Sequence, residues 1–156
     1  MAEHRQFCTF FLDNRFFGVD VEKVQEVIRY QAVTPVPLAS PVIRGLINLR
    51  GQIVTAIDLR RLLQIGDRQD DRRPINIVVH TRQGAFSLLV DRIGDVLDVD
   101  QSGFEHPPDT LNGIARELIH GAYKLPGCLL LTLNIDKLFN SALLNRLGEP
   151  AKKTEN

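Results

Sequence analysis

Residues 45–60 run Gly-Leu-Ile-Asn-Leu-Arg-Gly-Gln-Ile-Val-Thr-Ala-Ile-Asp-Leu-Arg, and no other stretch restricts the fold as tightly. Ser40-Pro41 precedes it, a good helix N-cap followed by a residue suited to the first helical position, which predicts one helical turn over Pro41 to Arg44. Gly45 is placed to stop that turn, because glycine takes positive φ without a Cβ clash. Leu46 to Leu49 reads as a strand, Arg50-Gly51 as a turn centre, and Ile53 to Leu59 as a second strand rich in β-branched residues. The two pair as a hairpin. Its polar residues, Asn48, Arg50, Asp58 and Arg60, read in isolation as a solvated tip and a local Asp58–Arg60 pair.

The rest of the chain repeats the same vocabulary. Phe7 to Leu12 and Phe16 to Val19 are strands around an Asp13-Asn14 turn, with the Phe16 and Phe17 rings on opposite faces. Asp20 is placed to cap a helix of about ten residues, because Val21, Val24, Val27 and Ile28 recur at spacings of three and four. Thr34-Pro35-Val36-Pro37 is an extended crossing. Ile75 to His80, Ala85 to Val90, a strand bordered by Val96 and Val99, Ile119 to Leu125 and Cys128 to Ile135 complete the strands. Thr110 to Leu118 allows a short helical turn, and Asp136 starts an amphipathic helix through Leu147 that Gly148 ends. Strands this short, with helices that do not alternate with them, predict small β-barrels rather than a βαβ sheet.

The chemistry the sequence lacks is informative. Its 156 residues are 44% hydrophobic with a formal net charge of +0, which suits one compact domain without a basic field for nucleic acid. His4, His80, His106 and His120 never fall at the i, i+4 spacing of a helical metal site. Cys8 and Cys128 lie in apolar strand-like runs and read as buried small hydrophobes, in a cytoplasmic redox setting. There is no phosphate loop and no nucleophile elbow. Asp91, Asp95, Asp98 and Asp100 lack the register of a calcium loop and read as the wet face of a strand. No catalytic set, metal or cofactor is expected, and a binding module is.

Six ordered blocks then carry a resemblance: Val-Gln-Glu-Val-Ile at 24–28, Pro-Val-Pro at 35–37, Ile-Arg-Gly-Leu-Ile-Asn-Leu-Arg-Gly-Gln-Ile-Val at 43–54, Ile-Asp-Leu-Arg at 57–60, Leu-Val-Asp-Arg-Ile-Gly-Asp-Val-Leu at 89–97 and Leu-Asn-Ile-Asp-Lys-Leu at 133–138. The sequence resembles the CheW family of bacterial chemotaxis. Thr55-Ala56 departs from a more usual Pro-Val. The resemblance implies a mainly β fold: two five-stranded SH3-like barrel lobes around a shared core, with two or three short helices. It implies a single domain over 5–148, a lobe seam near 66–74, and a C-terminal tail over 149–156. With little chain outside the matched blocks, a free adaptor is expected rather than part of a larger protein.

The function implied is that of a non-enzymatic adaptor, a monomer when free. It would join the cytoplasmic tip of methyl-accepting chemoreceptors to the regulatory domain of the histidine kinase CheA, in arrays at the inner membrane face. Matching positions make Val24, Glu26, Val27, Gly45, Asn48, Arg50 and Val96 the receptor-facing candidates. No kinase-facing residue carries over. The alternative, a small-ligand sensor or enzyme using the inter-lobe cleft, requires convergent polar groups in a concave site.

Overall fold

The computed structural model describes residues 4–37, 39–66, 72–107, 109 and 113–138, with side chains for all of these but 113–115 and 138. Its strands are β1 (His4–Leu12), β2 (Arg15–Asp20), β3 (Val24–Ile28), β4 (Ile43–Leu49), β5 (Gln52–Asp58), β6 (Ile75–Thr81), β7 (Gly84–Val90), β8 (Arg92–Asp100), β9 (Phe104–Glu105), β10 (Ile119–Leu125) and β11 (Cys128–Leu133). Among the described residues three short helices accompany them, α1 (Leu59–Leu62), α2 (Gly113–Leu118) and α3 (Ile135–Leu138). The fold is mainly β, as the strand-rich pattern predicts. The amphipathic helix expected to continue to Leu147 lies, beyond Leu138, outside the described residues, as does the 149–156 tail.

The strands form two sheets. One has the order β8-β1-β2-β11-β10-β9 and the other β3-β6-β7-β5-β4. The first has six strands rather than the five expected, because the two-residue β9 adds to β10 where a loop was predicted. The chain passes between the sheets after β2 and after β7. The charged stretch 66–74, expected as the seam, falls between α1 and β6 in the chain, and its residues 67–71 lie outside the described residues.

Packing explains why several strands read as continuous apolar runs. Successive side chains of a strand face opposite sides. On β6, Ile77 and Val79 enter a core that also holds Phe10, Leu12, Phe17 and Leu133 of the other sheet, while Val78 packs with Leu49 and Val54 inside its own lobe. On β7, Leu88 and Val90 join the shared core and Leu89 packs with Ile47 and Ala56. These strands are buried on both faces, so both alternating sets are apolar. The six-stranded lobe has its own smaller core of Phe7, Val99, Tyr123 and Leu130. Phe17 is buried and stacks on Phe10 at 5.7 Å, while half-buried Phe16 stacks on Phe11 at 4.8 Å, one ring to each face as the sequence predicts.

Local signals also mislead at the Asp20 helix, the Pro41 turn and Cys128. The helix expected after Asp20 is a 3-10 turn over Val21–Lys23 followed by β3. Asp20 does cap it, accepting from the Glu22 N–H at 3.0 Å. The apparent helical spacing comes from a bulge: the register shifts between Val24 and Glu26, so Val24 faces Val79 while Val27 faces Ile77. An extra residue in a strand breaks the period of two and lets positions three apart share one face. The helical turn expected at Pro41 to Arg44 is only a turn at 41–42, capped by Ser40 Oγ accepting from the Val42 N–H at 3.2 Å. Ile43 already pairs with Ile57 in the hairpin, so tertiary pairing overrides the capping signal. Cys8 is buried as expected, but Cys128 is exposed, being the first residue of β11 after the Pro126-Gly127 turn.

Candidate functional site

The β4–β5 hairpin ends in a two-residue loop, with Leu49 paired to Gln52 across it. Arg50 has φ 52° and Gly51 φ 88°, positive at both central positions as in a type I′ turn. Glycine accepts that geometry freely; arginine does not. Two contacts hold the turn. Asn48 Oδ1 accepts the Gly51 N–H at 2.9 Å, and the Arg50 guanidinium donates to Glu26 Oε2. β3 and β4 are the two edges of their sheet, so the Arg50–Glu26 pair shows that the sheet curls until its edges approach. The Arg50 side chain is 70% exposed and that of Glu26 21%. The guanidinium therefore reaches solvent, as expected of a hairpin tip, and keeps a carboxylate partner.

Gly45 lies under a crossing strand. Thr34 and Leu46 exchange two backbone hydrogen bonds of 2.8 Å, which brings the extended Thr34 segment across β4. Gly45 is buried at a register shift with φ 147°, and a Cβ there would collide with the Thr34 carbonyl oxygen and the Val33 side chain. It does not stop a helix; it makes room for a neighbouring backbone.

Four of the remaining predicted positions divide between the sheets. Glu26 lies on the face of β3 that carries Ile28, across from Val78 and Asn76. Val24, on the opposite face, packs against the shared core, and Val27 stands at its rim with 41% exposure. Val96 belongs to β8 of the other sheet, opposite Cys8, and is 55% exposed. The hairpin thus joins Glu26, Asn48 and Arg50 through contacts, with Val24 and Val27 on the same edge strand as Glu26. Val96 stands on the other sheet from the strands that carry the remaining candidates.

One residue of consequence escaped sequence reasoning. Arg60 and Asp58 do not pair, since residues two apart on a strand-to-helix junction do not face each other. Asp58 instead accepts the Arg61 N–H at 3.2 Å as the α1 cap and sits 3.4 Å from Arg44. The Arg60 side chain, 8% exposed, grips Asp91 through Nε at 3.0 Å and Nη2 at 2.9 Å, reaches the Gly66 carbonyl at 3.0 Å, and donates to Asp13. The Asp91 carboxylate, as principal hydrogen-bond partner, pushes the Arg60 pKa further up. Asp13 lies in the β1–β2 turn of the six-stranded sheet and Asp91 in the connection between β7 and β8. Arg60 is therefore a clamp across the joint. Asp91 accordingly leaves the predicted wet face, which keeps the exposed Asp95, Asp98 and Asp100.

Two open clefts meet at His120. One is lined by Arg5, Asp20, Lys23, Asn134 and Asp136, but Arg5 is paired with Asp20 at 3.0 Å and Lys23 with Asp136 at 3.4 Å. Its acidic and basic side chains are paired with each other, which disfavours that cleft as a small-ligand site. Partial burial, then the cations Arg5, His106 and Lys137, lower the His120 pKa from its ordinary 6.5. A depressed imidazole binds fewer protons folded than unfolded, so stability is full above 6.5 and declines as pH falls toward the folded value. Thermal melts between about pH 5 and 7 should show this slope, and His120→Gln should flatten it. An unchanged slope would remove His120 as its source.

Against this geometry, the CheW-like domain profile matches residues 6–143. The chain is 30% identical over 150 residues to the chemotaxis protein CheW of Treponema pallidum, covering 94% of this chain and 88% of the relative. It is 32% identical over 149 residues to that of Klebsiella aerogenes, covering 95% and 89%. The crystal structure of the scaffolding protein TtCheW from Thermoanaerobacter tengcongensis superposes with a TM-score of 0.80 at 28% identity, covering 88% of this chain and 94% of that one. Its fold of two SH3-like lobes is the fold described above. The chain belongs to the CheW family: it is a chemotaxis scaffolding protein and not an enzyme.

Proposed function

We propose that the protein couples the cytoplasmic tips of chemoreceptors to the regulatory domain of the histidine kinase CheA, working in the cytoplasm and drawn into arrays at the inner membrane face. The observation that carries this reading is the Glu26–Arg50 pair at the rim of the five-stranded sheet, with a mostly exposed guanidinium in a strained turn. Strain at a surface position with no role in the core points to function. An acidic or carbonyl group on a helical receptor tip is the complement of that guanidinium, and its apolar stripe is the complement of the Val24 and Val27 edge. Val96 and Gly45 remain part of the proposed receptor-facing set, Gly45 by placing β4. Such contacts are individually modest and gain strength from multivalency in an array.

Arg50→Ala tests the reading. An exposed ion pair contributes about 1 kcal/mol or less to stability, so the melting temperature should hardly move. Loss of charge-assisted hydrogen bonds to a partner should weaken receptor binding by about 1.5–3 kcal/mol, roughly 10- to 100-fold, while binding of the kinase regulatory domain survives. A large fall in melting temperature with equal loss of both binding activities would show that Arg50 holds the fold instead.

A further inference from the structure

We propose that Asn48 is a positioning residue: its amide oxygen locks the Arg50–Gly51 turn in the form that presents the Arg50 guanidinium to Glu26 and to the receptor. This rests on the partner-facing reading of Arg50 and assigns Asn48 a different part from direct contact. A type I′ turn prefers Asn or Asp followed by Gly, because both central residues take positive φ. Here the first central residue is Arg50, a long side chain at φ 52°, where bulky residues are uncommon. Such a turn has lower-energy alternatives, and something must hold it. The Asn48 carboxamide sits two residues before the strained position and accepts the N–H of Gly51, one residue after it, at 2.9 Å. That bond brackets Arg50 on both sides. Side-chain oxygens of Asn and Asp make this kind of short-range bond readily. Asn48 is itself exposed beside exposed Ile53, so the shared core does not depend on it. The Glu26 carboxylate then fixes the far end of the arginine. Backbone from one neighbour and guanidinium from another make a preorganised cation, which lowers the ordering cost on binding.

The bond uses only the Asn48 oxygen, and this makes the inference testable. Asn48→Asp keeps the acceptor and loses the amide donors; Asn48→Ala loses both. Hydrogen exchange at the Gly51 amide, followed by NMR on the full chain, reports the turn. Titration with the recombinant cytoplasmic signalling domain of a chemoreceptor from the same cell reports the binding. Asn48→Ala should speed Gly51 exchange and weaken binding about fivefold, the worth of one neutral hydrogen bond, with a melting temperature lower by no more than about 4 °C. Asn48→Asp should restore both readouts. Equal weakening by both variants with Gly51 still protected would mean that the amide touches the receptor directly, and would overturn the inference. So would undiminished binding by Asn48→Ala in a series where Arg50→Ala is impaired. If Arg50→Ala itself binds like the parent, the partner-facing reading falls and the inference with it.

Discussion

Arg60→Met should lower stability by about 3–5 kcal/mol, the order of cost of removing the cation from a largely buried ion pair. At about 2–4 °C per kcal/mol for a chain of this size, the melting temperature should fall by roughly 6–20 °C. Methionine fills much of the aliphatic volume, so the loss comes from charge and hydrogen bonding. Asp91, 15% exposed, loses its bidentate partner; Asp13, nearly half exposed, is rehydrated more easily and contributes less. The Gly66 carbonyl loses a donor as well. Arg60→Lys should fall between the two, since an ammonium keeps the charge but cannot span three acceptors with a planar fork. Arg60→Met with Asp91→Asn should recover part of the loss, because the amide needs no counter-charge. The sites of damage distinguish this residue from Arg50: amides of the β1–β2 turn and the β7–β8 connection should lose exchange protection first. A melting temperature within 2 °C of the parent, about 1 kcal/mol or less on the same scale, would contradict the clamp.

Gly45→Ala should be the other severe change, costing about 2–5 kcal/mol from a strained φ together with overpacking. At φ 147° an alanine is unfavourable whatever surrounds it, and here its methyl would meet the Thr34 carbonyl and the Val33 side chain. The neighbour that must yield is backbone, and moving it breaks the two Thr34–Leu46 hydrogen bonds. β4 carries the hairpin, so a displaced β4 misplaces Arg50 and impairs receptor binding along with stability. The two variants divide the site: Gly45→Ala acts through the fold and Arg50→Ala through the contact. Circular dichroism melts and receptor titrations on both would show the contrast, and a Gly45→Ala protein as stable as the parent would contradict the account of the crossing strand.

How much of this was legible in the sequence follows from the range of each interaction. The hairpin was readable because Arg50-Gly51 and the flanking apolar strands act within a few residues. The core strands were readable because a run such as Ile77-Val78-Val79 serves two apolar faces. The helix predicted after Asp20 failed because a bulge between Val24 and Glu26 imitates helical spacing, and a bulge is visible only with the partner strand in place. The clamp was invisible because Asp91 lies 31 residues from Arg60 and Asp13 lies 47 away. Cys128 read as buried from its apolar neighbours, but a strand's first residue after a turn need not face a core. The site residues came from family likeness; local rules supplied only the turn that holds Arg50 and, in the Glu26–Arg50 contact, nothing.

On the proposed function, one protein holds a receptor and a kinase at once through separate surfaces. The direct measurement is sedimentation of a three-component mixture: this protein, the isolated CheA regulatory domain and the receptor signalling domain, each from the same cell. The account predicts a ternary complex with pairwise affinities in the micromolar range, from which Arg50→Ala removes the receptor and leaves the kinase domain bound. Mutually exclusive binding of the two partners, or no binding of either up to about millimolar, would contradict it.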